Sequence, residues 1–235
     1  MKKILIFQHC GAVGGSGISL LHIVRAIDKK QYALSVLCQS NPDDMAKILE
    51  NEGCQVVRSI NSPHIFSHFN GGITYALSLK TIKNMYDILK DIKNIEQCII
   101  TVNPDIVIVN SMTLFWIGKV VRKINSKIKT ICFHRETYQK GLFGLRTKII
   151  KYGLSNWFDK IAFISENDCY ETGKINGIKK VIYDRVDIVT FKNYSKNEAR
   201  LILGLEDDKK YILFLGGFSE LKGAHIIINA MKYIK

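Results

Sequence analysis

The sequence has little proline and no long hydrophobic run. Only 3 of its 235 residues are proline and 47% are hydrophobic, which excludes a disordered chain. No stretch approaches the roughly 20 apolar residues that span a bilayer, and the apolar run after Met1 ends at Phe7, too early for a signal peptide. The sequence therefore predicts a globular protein that is cytoplasmic or lies on the cytoplasmic face of a membrane.

Metal-binding patterns are also missing. The six cysteines form no C-x-x-C pair, and neither the cysteines nor the histidines have the spacing of metal ligands. Several cysteines stand beside apolar runs, where cysteine behaves as a small hydrophobic residue. The sequence predicts reduced thiols, as in a cytoplasmic protein, and no metal site.

Acidic residues are outnumbered, with 21 Asp and Glu against 34 Lys and Arg and a net charge of +13. Such an excess favours an anionic partner, although scattered lysines can also be an ordinary solvated surface. The sequence contains no arginine-rich stripe, helix-turn-helix signal or aromatic RNA-binding strand, so nucleic acid is the least favoured partner.

Short apolar runs alternate with helical patterns along the first 190 residues. The run "DIVIVN" lacks the period-two alternation of a half-exposed strand, as expected for a strand covered on both faces. Alternating strands and helices indicate a Rossmann-like, doubly wound parallel sheet of the α/β class. The predicted strands are 4–7, 32–38, 55–57, 105–109, 128–133, 160–164 and 181–182. The predicted helices include 43–51, 73–101, 114–124, 142–156 and 166–174.

The pattern starts again near Phe191. Ser195 and Glu198 have the spacing of a capping box before a helix, and a strand at 211–215 and a last helix follow. Two helices and one strand cannot enclose a core. We therefore expect two domains, 1–190 and 191–235, the second an incomplete Rossmann-like domain whose exposed apolar residues favour self-association.

A glycine-rich loop follows the first predicted strand. In "QHCGAVGGSGISLL", Gly14, Gly15 and Ser16 open a helix at the sheet edge where ligands bind in such folds. The dinucleotide fingerprint fails because Leu20 stands where its last glycine belongs, and no G-K-[ST] motif is present. A nucleotide-dependent dehydrogenase or epimerase is thus a weaker alternative, and a tight structural turn is another.

A polar triplet, His134, Arg135 and Glu136, comes directly after the predicted strand 128–133. Residues there reach the same sheet edge as the glycine loop. Histidine can bind a sugar hydroxyl or transfer a proton near neutral pH. Arg135 and Glu136 could instead pair with each other, and His9 at the end of the first strand is a second candidate.

The segment 141–158, "GLFGLRTKIIKYGLSNWF", combines apolar and basic residues. At 100° per residue Lys148 and Lys151 share a side of the helix, but Arg146 falls among the apolar positions. The segment therefore predicts either peripheral membrane contact or ordinary packing against the sheet.

The order of these motifs resembles the family 4 glycosyltransferases, which have the GT-B fold. The resemblance covers almost the whole chain and rests on Gly14-Gly15, "HRE" at 134–136, "IAFISENDCYE" with Ser165, "VIYDRVDIVTF" with Asp184, and "ILFLGGFSELKG" with Gly217 and Lys222. Two positions depart from the family pattern. Asp184 stands where asparagine is usual, and Gly217 where an arginine is usual.

The resemblance implies transfer of a sugar from a nucleotide diphosphate sugar to a hydroxyl acceptor, in cell-surface polysaccharide or glycolipid synthesis and without a metal. It implies an acceptor-side domain at 1–190 and the start of a nucleotide-sugar domain at 191–235. Family members extend further, so we expect a truncated chain of low activity, completed by a separate C-terminal half or kept as a non-catalytic binding module. The implied catalytic residues are His134 and Glu136, and the implied substrate or donor contacts are Gly14, Gly15, Ser16, Arg135, Ser165, Asp184, Gly217 and Lys222.

Overall fold

The chain divides into two compact units, Met1–Arg185 and Val186–Lys235. The computed structural model describes residues 1–58, 79–138, 140–186, 191–218 and 222–234, and leaves aside the side chains of 79–85 and of Leu142. The polar segment 61–72, with His64 and His68, and the predicted helical residues 73–78 lie outside the described residues.

The first unit contains a parallel sheet of seven strands in the order β3-β2-β1-β4-β5-β6-β7. This order, in which the chain runs outward from β1 and then reverses, is that of a doubly wound sheet and confirms the predicted fold class. The strands are β1 Lys2–Phe7, β2 Tyr32–Cys38, β3 Gln55–Arg58, β4 Ile106–Val109, β5 Lys129–His134, β6 Lys160–Phe163 and β7 Ile178–Val181.

Helices connect the successive strands of the first unit. They are α1 Gly15–Ala26, α2 Asp44–Asn51, α3 Leu79–Val102, α4 Ile117–Ile124, α5 Leu145–Trp157 and α6 Glu166–Thr172, with 3-10 turns at Met112–Leu114 and Leu142–Gly144. The second unit has α7 Lys196–Leu203, α8 Ala224–Ala230 and a 3-10 turn at Met231–Tyr233. The structure thus begins α4 and α5 about three residues later than the apolar patterns predict, because a 3-10 turn precedes each.

Helices cover both faces of the sheet. In β1, Ile4 and Ile6 belong to the apolar cluster with α1 and α2, whereas Leu5 and Phe7 belong to the cluster with α3, α4 and α5. Successive side chains of a strand point to opposite faces, so an unbroken apolar run is what a doubly covered strand requires.

Helices α4 and α5 approach closely at two glycines. A Cβ on Gly118 would lie 2.7 Å from the Phe158 ring, and one on Gly153 would lie 2.3 Å from the Phe115 ring. Any side chain at either position would push an aromatic ring out of the core, so these glycines permit the packing of this helix pair against the sheet.

The second unit has little interior of its own. Ser195 and Glu198 form the predicted capping box at the start of α7. The predicted strand at 211–215 is wrong, because none of those residues belongs to a strand. A strand needs a neighbour to pair with its backbone groups, and the described residues of this unit supply none. Ala224 is the only buried residue of its described part.

The described residues bear on three further expectations, which concern the thiols, membrane spans and metal sites. All six cysteines are free thiols, and Cys38, Cys54, Cys98 and Cys132 are buried. In the described part of the chain, no helix combines the length and the apolar character needed to cross a bilayer, and no three acidic, histidine or cysteine side chains are grouped to hold a metal ion.

Replacement of Gly153 by alanine tests the close helix packing. The new methyl group overlaps Phe115, and overpacking of this kind costs about 1–3 kcal/mol, more than the roughly 1 kcal/mol that alanine gains in helix propensity. We expect a lower urea midpoint for Gly153→Ala, measured by circular dichroism. Lys148→Ala, on the exposed side of the same helix, serves as the control and should change the midpoint little. A midpoint at or above the native value for Gly153→Ala would contradict this packing.

Candidate functional site

The carboxyl ends of β1, β4 and β5 lie side by side, because β4 pairs with β1 on one side and with β5 on the other. Polar residues follow each strand directly: Gln8 and His9 after β1, Asn110 and Ser111 after β4, and Arg135 and Glu136 after β5. The topology therefore collects at one edge side chains that are far apart in sequence.

The glycine loop presents an open helix N-terminus to this edge. Gly14 is the N-cap of α1, the first turn of α1 carries no acidic residue, and a Cβ on Gly14 or Gly15 would meet no described atom within 4 Å. Unsatisfied backbone N–H groups and the helix dipole favour an anion there. Gly17 has a structural role instead, since a Cβ on it would lie 2.6 Å from Met45 Sδ.

Asn110 joins the glycine loop to the sheet. Its side chain is fully buried, and its Nδ2 donates to Gln8 Oε1 at 2.7 Å and to the Ser16 carbonyl at 3.0 Å. Its Oδ1 accepts from Arg135 Nε at 3.1 Å. Sequence reasoning missed Asn110, Gln8 and Ser111, although the runs "ILIFQ" and "DIVIVN" place them directly after buried strands, as "TICFH" does for His134.

Arg135 is engaged by Asp184. Its Nη1 donates to Asp184 Oδ1 at 2.8 Å, its guanidinium lies 4.9 Å from the centre of the Phe133 ring, and its side chain is only 5% exposed. Its Nη2 has no hydrogen-bond partner among the described residues. A buried donor without a partner is costly, so Arg135 retains capacity for one more acceptor.

Asp184 also accepts a hydrogen bond from Ser19 Oγ, and His22 Nδ1 contacts the Arg185 carbonyl at 2.9 Å. Both contacts hold the segment after β7 against α1. The carboxylate of Asp184 therefore acts on the site through Arg135, whose positive charge it partly neutralises.

Glu136 lies apart from Arg135. Its Oε1 accepts from Ser111 Oγ at 2.8 Å and lies 4.0 Å from His9 Nε2, and its side chain is 10% exposed. The pairing of Arg135 with Glu136 that the sequence left open is thus not formed. Glu136, Ser111 and His9 provide hydrogen-bonding groups of the kind that bind sugar hydroxyls or accept a proton.

His134 is separated from Arg135 by the sheet. Its ring is fully buried, 4.7 Å from the Tyr138 ring and 5.0 Å from the Phe163 ring by centroid, and neither ring nitrogen has a described hydrogen-bond partner. Because strand side chains alternate, His134 joins the α3–α5 face, whereas Arg135 joins the α1 face. Burial lowers the pKa of His134 to about 4. The imidazole is therefore neutral near pH 7, and its catalytic role stays a prediction.

The remaining predicted residues are more dispersed. Ser165 is the N-cap of α6: its Oγ accepts from the Asp168 backbone N–H at 3.1 Å and donates to Asp168 Oδ2 at 2.6 Å. Gly217 and Lys222 belong to the second unit, where both are exposed and Lys222 precedes α8 by two residues. Their roles in binding stay predictions.

A second opening, of about 830 Å³, lies at the opposite edge, where β5, β6 and β7 begin. Its arginine is used structurally: Arg122 donates to Thr130 Oγ1 at 2.8 Å and pairs with Asp159 at 3.0 Å. The guanidinium of Arg122 is thus already paired within the protein, whereas Arg135 at the carboxyl edge has a donor without a described partner. We therefore place the candidate site at the carboxyl edge.

No protein-family model matches the sequence, and no curated protein matches it. Solved structures do match the fold. HepE of Anabaena in complex with UDP-glucose aligns with 100% of this chain at a TM-score of 0.67 and 17% identity. Sucrose-phosphate synthase from Thermosynechococcus elongatus aligns with 100% of the chain at a TM-score of 0.72 and 16% identity. A glycosyltransferase from Rickettsia africae does so at 0.62 and 15%.

These neighbours are GT-B glycosyltransferases, and the likeness shows that this chain has their fold. The chain spans 58% of HepE, 60% of the sucrose-phosphate synthase and 57% of the Rickettsia protein. The seven-stranded sheet with its flanking helices is thus a Rossmann-like domain of the GT-B type.

Buried neutral His134 makes the stability of the protein depend on pH. Its pKa is about 4 in the folded state and 6.5 as the reference value. The unfolded chain therefore binds the proton first, so stability is full above pH 6.5 and is lost as pH falls toward 4, by up to about 3 kcal/mol. Urea unfolding of the native protein and of His134→Phe at pH 7 and pH 5 should show the smaller pH loss in the variant. Parallel losses in both proteins would show that His134 is not the cause.

Proposed function

We propose that this chain supplies the acceptor-side domain, residues 1–190, and the start of the nucleotide-sugar domain, residues 191–235, of a glycosyltransferase. The reaction would move a sugar from a nucleotide diphosphate sugar to a hydroxyl acceptor, in the synthesis of a cell-surface polysaccharide or glycolipid. One observation carries the proposal: a GT-B fold over the whole chain whose sheet edge combines the open N-terminus of α1 with Arg135 and Glu136.

Sugar transfer requires groups that stabilise the leaving diphosphate and groups that bind the acceptor hydroxyl. The bond between the sugar C1 and the diphosphate oxygen breaks, so negative charge grows on the leaving diphosphate, while the acceptor oxygen bonds to C1 and loses its proton. Donors held in place where charge develops are the main source of such catalysis. In the first unit, we assign the N–H groups of Gly15 and Ser16 and the guanidinium of Arg135 to the diphosphate. The assignment of Lys222, in the second unit, to the donor rests on the family resemblance alone.

Glu136, with Ser111 and His9 beside it, is the group we assign to sugar or acceptor hydroxyls. A carboxylate can accept hydrogen bonds from more than one donor, and Ser111 is one donor to Glu136. Ser165, Gly14 and Gly217 are proposed as further contacts of substrate or donor. The cationic groups of the chain take the part that a metal ion plays elsewhere, so we propose that the reaction needs no metal.

Asp184 stands where the family that the sequence resembles usually has an asparagine. It pairs with Arg135 at 2.8 Å, so a diphosphate at this site competes with a carboxylate for one guanidinium. We infer weaker donor binding than an asparagine would allow. Together with the 58% coverage of HepE, this leads us to expect low turnover from residues 1–235 alone. A non-catalytic binding module with the same contacts is the alternative.

Nucleotide binding tests the proposal. We expect residues 1–235 to bind UDP in isothermal titration calorimetry, and Lys222→Ala to weaken binding about tenfold, because a charge-assisted contact is lost. Lys232→Ala, another exposed lysine of the second unit, is the matched control and should bind UDP like the native chain.

Absence of UDP binding by the native chain would overturn the proposal. A change of NADH fluorescence on titration, without UDP binding, would favour the dehydrogenase or epimerase alternative. Equal affinities of Lys222→Ala and the native chain for UDP would show that Lys222 is not part of the site.

We also propose that the first unit contacts a membrane through 141–158. Helix α5 buries Ile150 and Leu154 in the core but leaves Leu145, Ile149 and Tyr152 exposed at 55%, 41% and 62%, at the i, i+4, i+7 spacing of one helix face. Phe143, just before the helix, is 93% exposed. We call these four residues the apolar strip. Packing and membrane contact thus use opposite faces of one helix.

Charge favours an anionic lipid surface as the partner of the apolar strip. Lys140 and Lys148 are exposed and flank the strip, and no acidic residue occurs between 140 and 158. Arg146 is partly buried, and burial lowers its pKa, which agrees with its place among the apolar positions of the helix. A face with exposed aromatic and aliphatic side chains bordered by lysines is typical of proteins that bind the membrane interface.

Vesicle sedimentation tests this contact. We expect Phe143→Ser to lower the fraction bound to phosphatidylglycerol-containing vesicles by about tenfold, since burial of a phenylalanine contributes about 1.5–3 kcal/mol. Leu89→Ser, an exposed apolar residue of α3 at 64%, is the control and should bind like the native chain. Lys148→Glu should weaken binding to these vesicles and not to phosphatidylcholine vesicles. Equal binding by all variants would rule out the apolar strip as the contact.

A further inference from the structure

Asn110 lies where three parts of the candidate site meet. It follows β4, the strand between β1 and β5, and its backbone N–H donates to the Phe7 carbonyl at 2.9 Å. The sheet therefore fixes its backbone. Its side chain is fully buried, so it cannot touch a substrate itself.

The hydrogen bonds of the Asn110 amide leave no choice of orientation. Arg135 Nε is always a donor, so the atom that it contacts must be the carbonyl oxygen Oδ1. The other end must then be the NH₂ group, which needs acceptors and has two, the Ser16 carbonyl and Gln8 Oε1. Gln8 Nε2 in turn donates to the Cys10 carbonyl at 3.1 Å, so the Gln8 amide is fixed as well.

One amide thus links the first turn of α1 to Arg135. On one side it holds the Ser16 carbonyl, and with it the N-terminal backbone of α1. On the other side it holds Nε of Arg135, whose Nη1 is taken by Asp184 and whose Nη2 has no described partner. The distance between the open helix N-terminus and the guanidinium is therefore set through Asn110.

We propose that Asn110 is a positioning residue for the diphosphate of the donor, an inference that rests on the proposed function. It fixes the spacing of two anion-binding groups that come from different segments of the chain, α1 and the end of β5. Preorganised donors bind an anion more tightly than mobile ones, because the entropy of ordering them is lost on folding and not on binding.

The variant Asn110→Asp removes the contact with Ser16 and keeps the contact with Arg135. The introduced carboxylate still accepts from Arg135 Nε, but it offers an oxygen, and not an NH₂ group, to the Ser16 carbonyl. The contact with the α1 turn then becomes a repulsion between two acceptors, while Arg135 keeps its partner. Asn110→Ser is a second, uncharged variant whose short side chain cannot reach Ser16 and Arg135 together.

The control must lose buried hydrogen bonds without touching the site. Thr130 is buried at the opposite edge of the sheet, where its hydroxyl contacts Arg122, Asp159 and the Trp157 carbonyl. Thr130→Val should lower the melting temperature of the protein and leave its affinity for UDP unchanged.

Calorimetric titration with UDP, together with thermal unfolding of each protein, tests the proposal. We expect Asn110→Asp and Asn110→Ser to bind UDP about tenfold more weakly than the native chain at a temperature where all are folded, and Thr130→Val to bind normally. Native-like affinity of either Asn110 variant would overturn the positioning role, and so would failure of both to fold, which would assign Asn110 to stability alone. If the native chain itself does not bind UDP, the proposed function fails, which is a separate result.

Discussion

A buried amide must have its hydrogen bonds satisfied, and the candidate site is organised around that constraint. Asn110 is fully buried and uses both ends of its side chain, toward Gln8 and Ser16 on one side and Arg135 on the other. Leaving any of these groups unpaired in the interior costs more than the bond itself contributes. The positions of the α1 turn and of Arg135 are therefore coupled, and the parallel sheet makes the coupling geometrically feasible by ending β1, β4 and β5 side by side.

The charges of the site fall into two groups. Arg135 lies by the first turn of α1 and is balanced by Asp184, whereas Glu136 lies with His9 and Ser111. One region thus favours an anion and the other favours hydroxyl groups, a division that the proposed sugar transfer would need. The balance by Asp184 also means that the guanidinium is held in place before any ligand arrives, at the cost of competition for it.

The sequence correctly predicted those helices and strands that depend on residues close together in the chain. The strand at 32–38 agrees with β2 Tyr32–Cys38 at both ends, because an apolar run bounded by polar residues is complete in itself. The capping box of Ser195 and Glu198 also formed as its spacing predicts, since its bonds join residues three apart. The alternation of strands and helices was enough to identify the doubly wound sheet, because a parallel pair needs a crossover connection. The sequence alone thus determined the fold class and the edge of the sheet at which polar residues gather.

Only the tertiary structure decided which of those residues act together. The triplet at 134–136 is continuous in sequence, yet the alternation of strand side chains sends His134 into the core and Arg135 to the opposite face. Asn110 and Gln8 are 102 residues apart, and no local sequence pattern predicts their contact. The strand predicted at 211–215 failed for the same reason: its apolar run is local, but a strand exists only where another backbone pairs with it. Hydrogen-bond partners and pairing neighbours are distant in sequence, and folding alone brings them within reach.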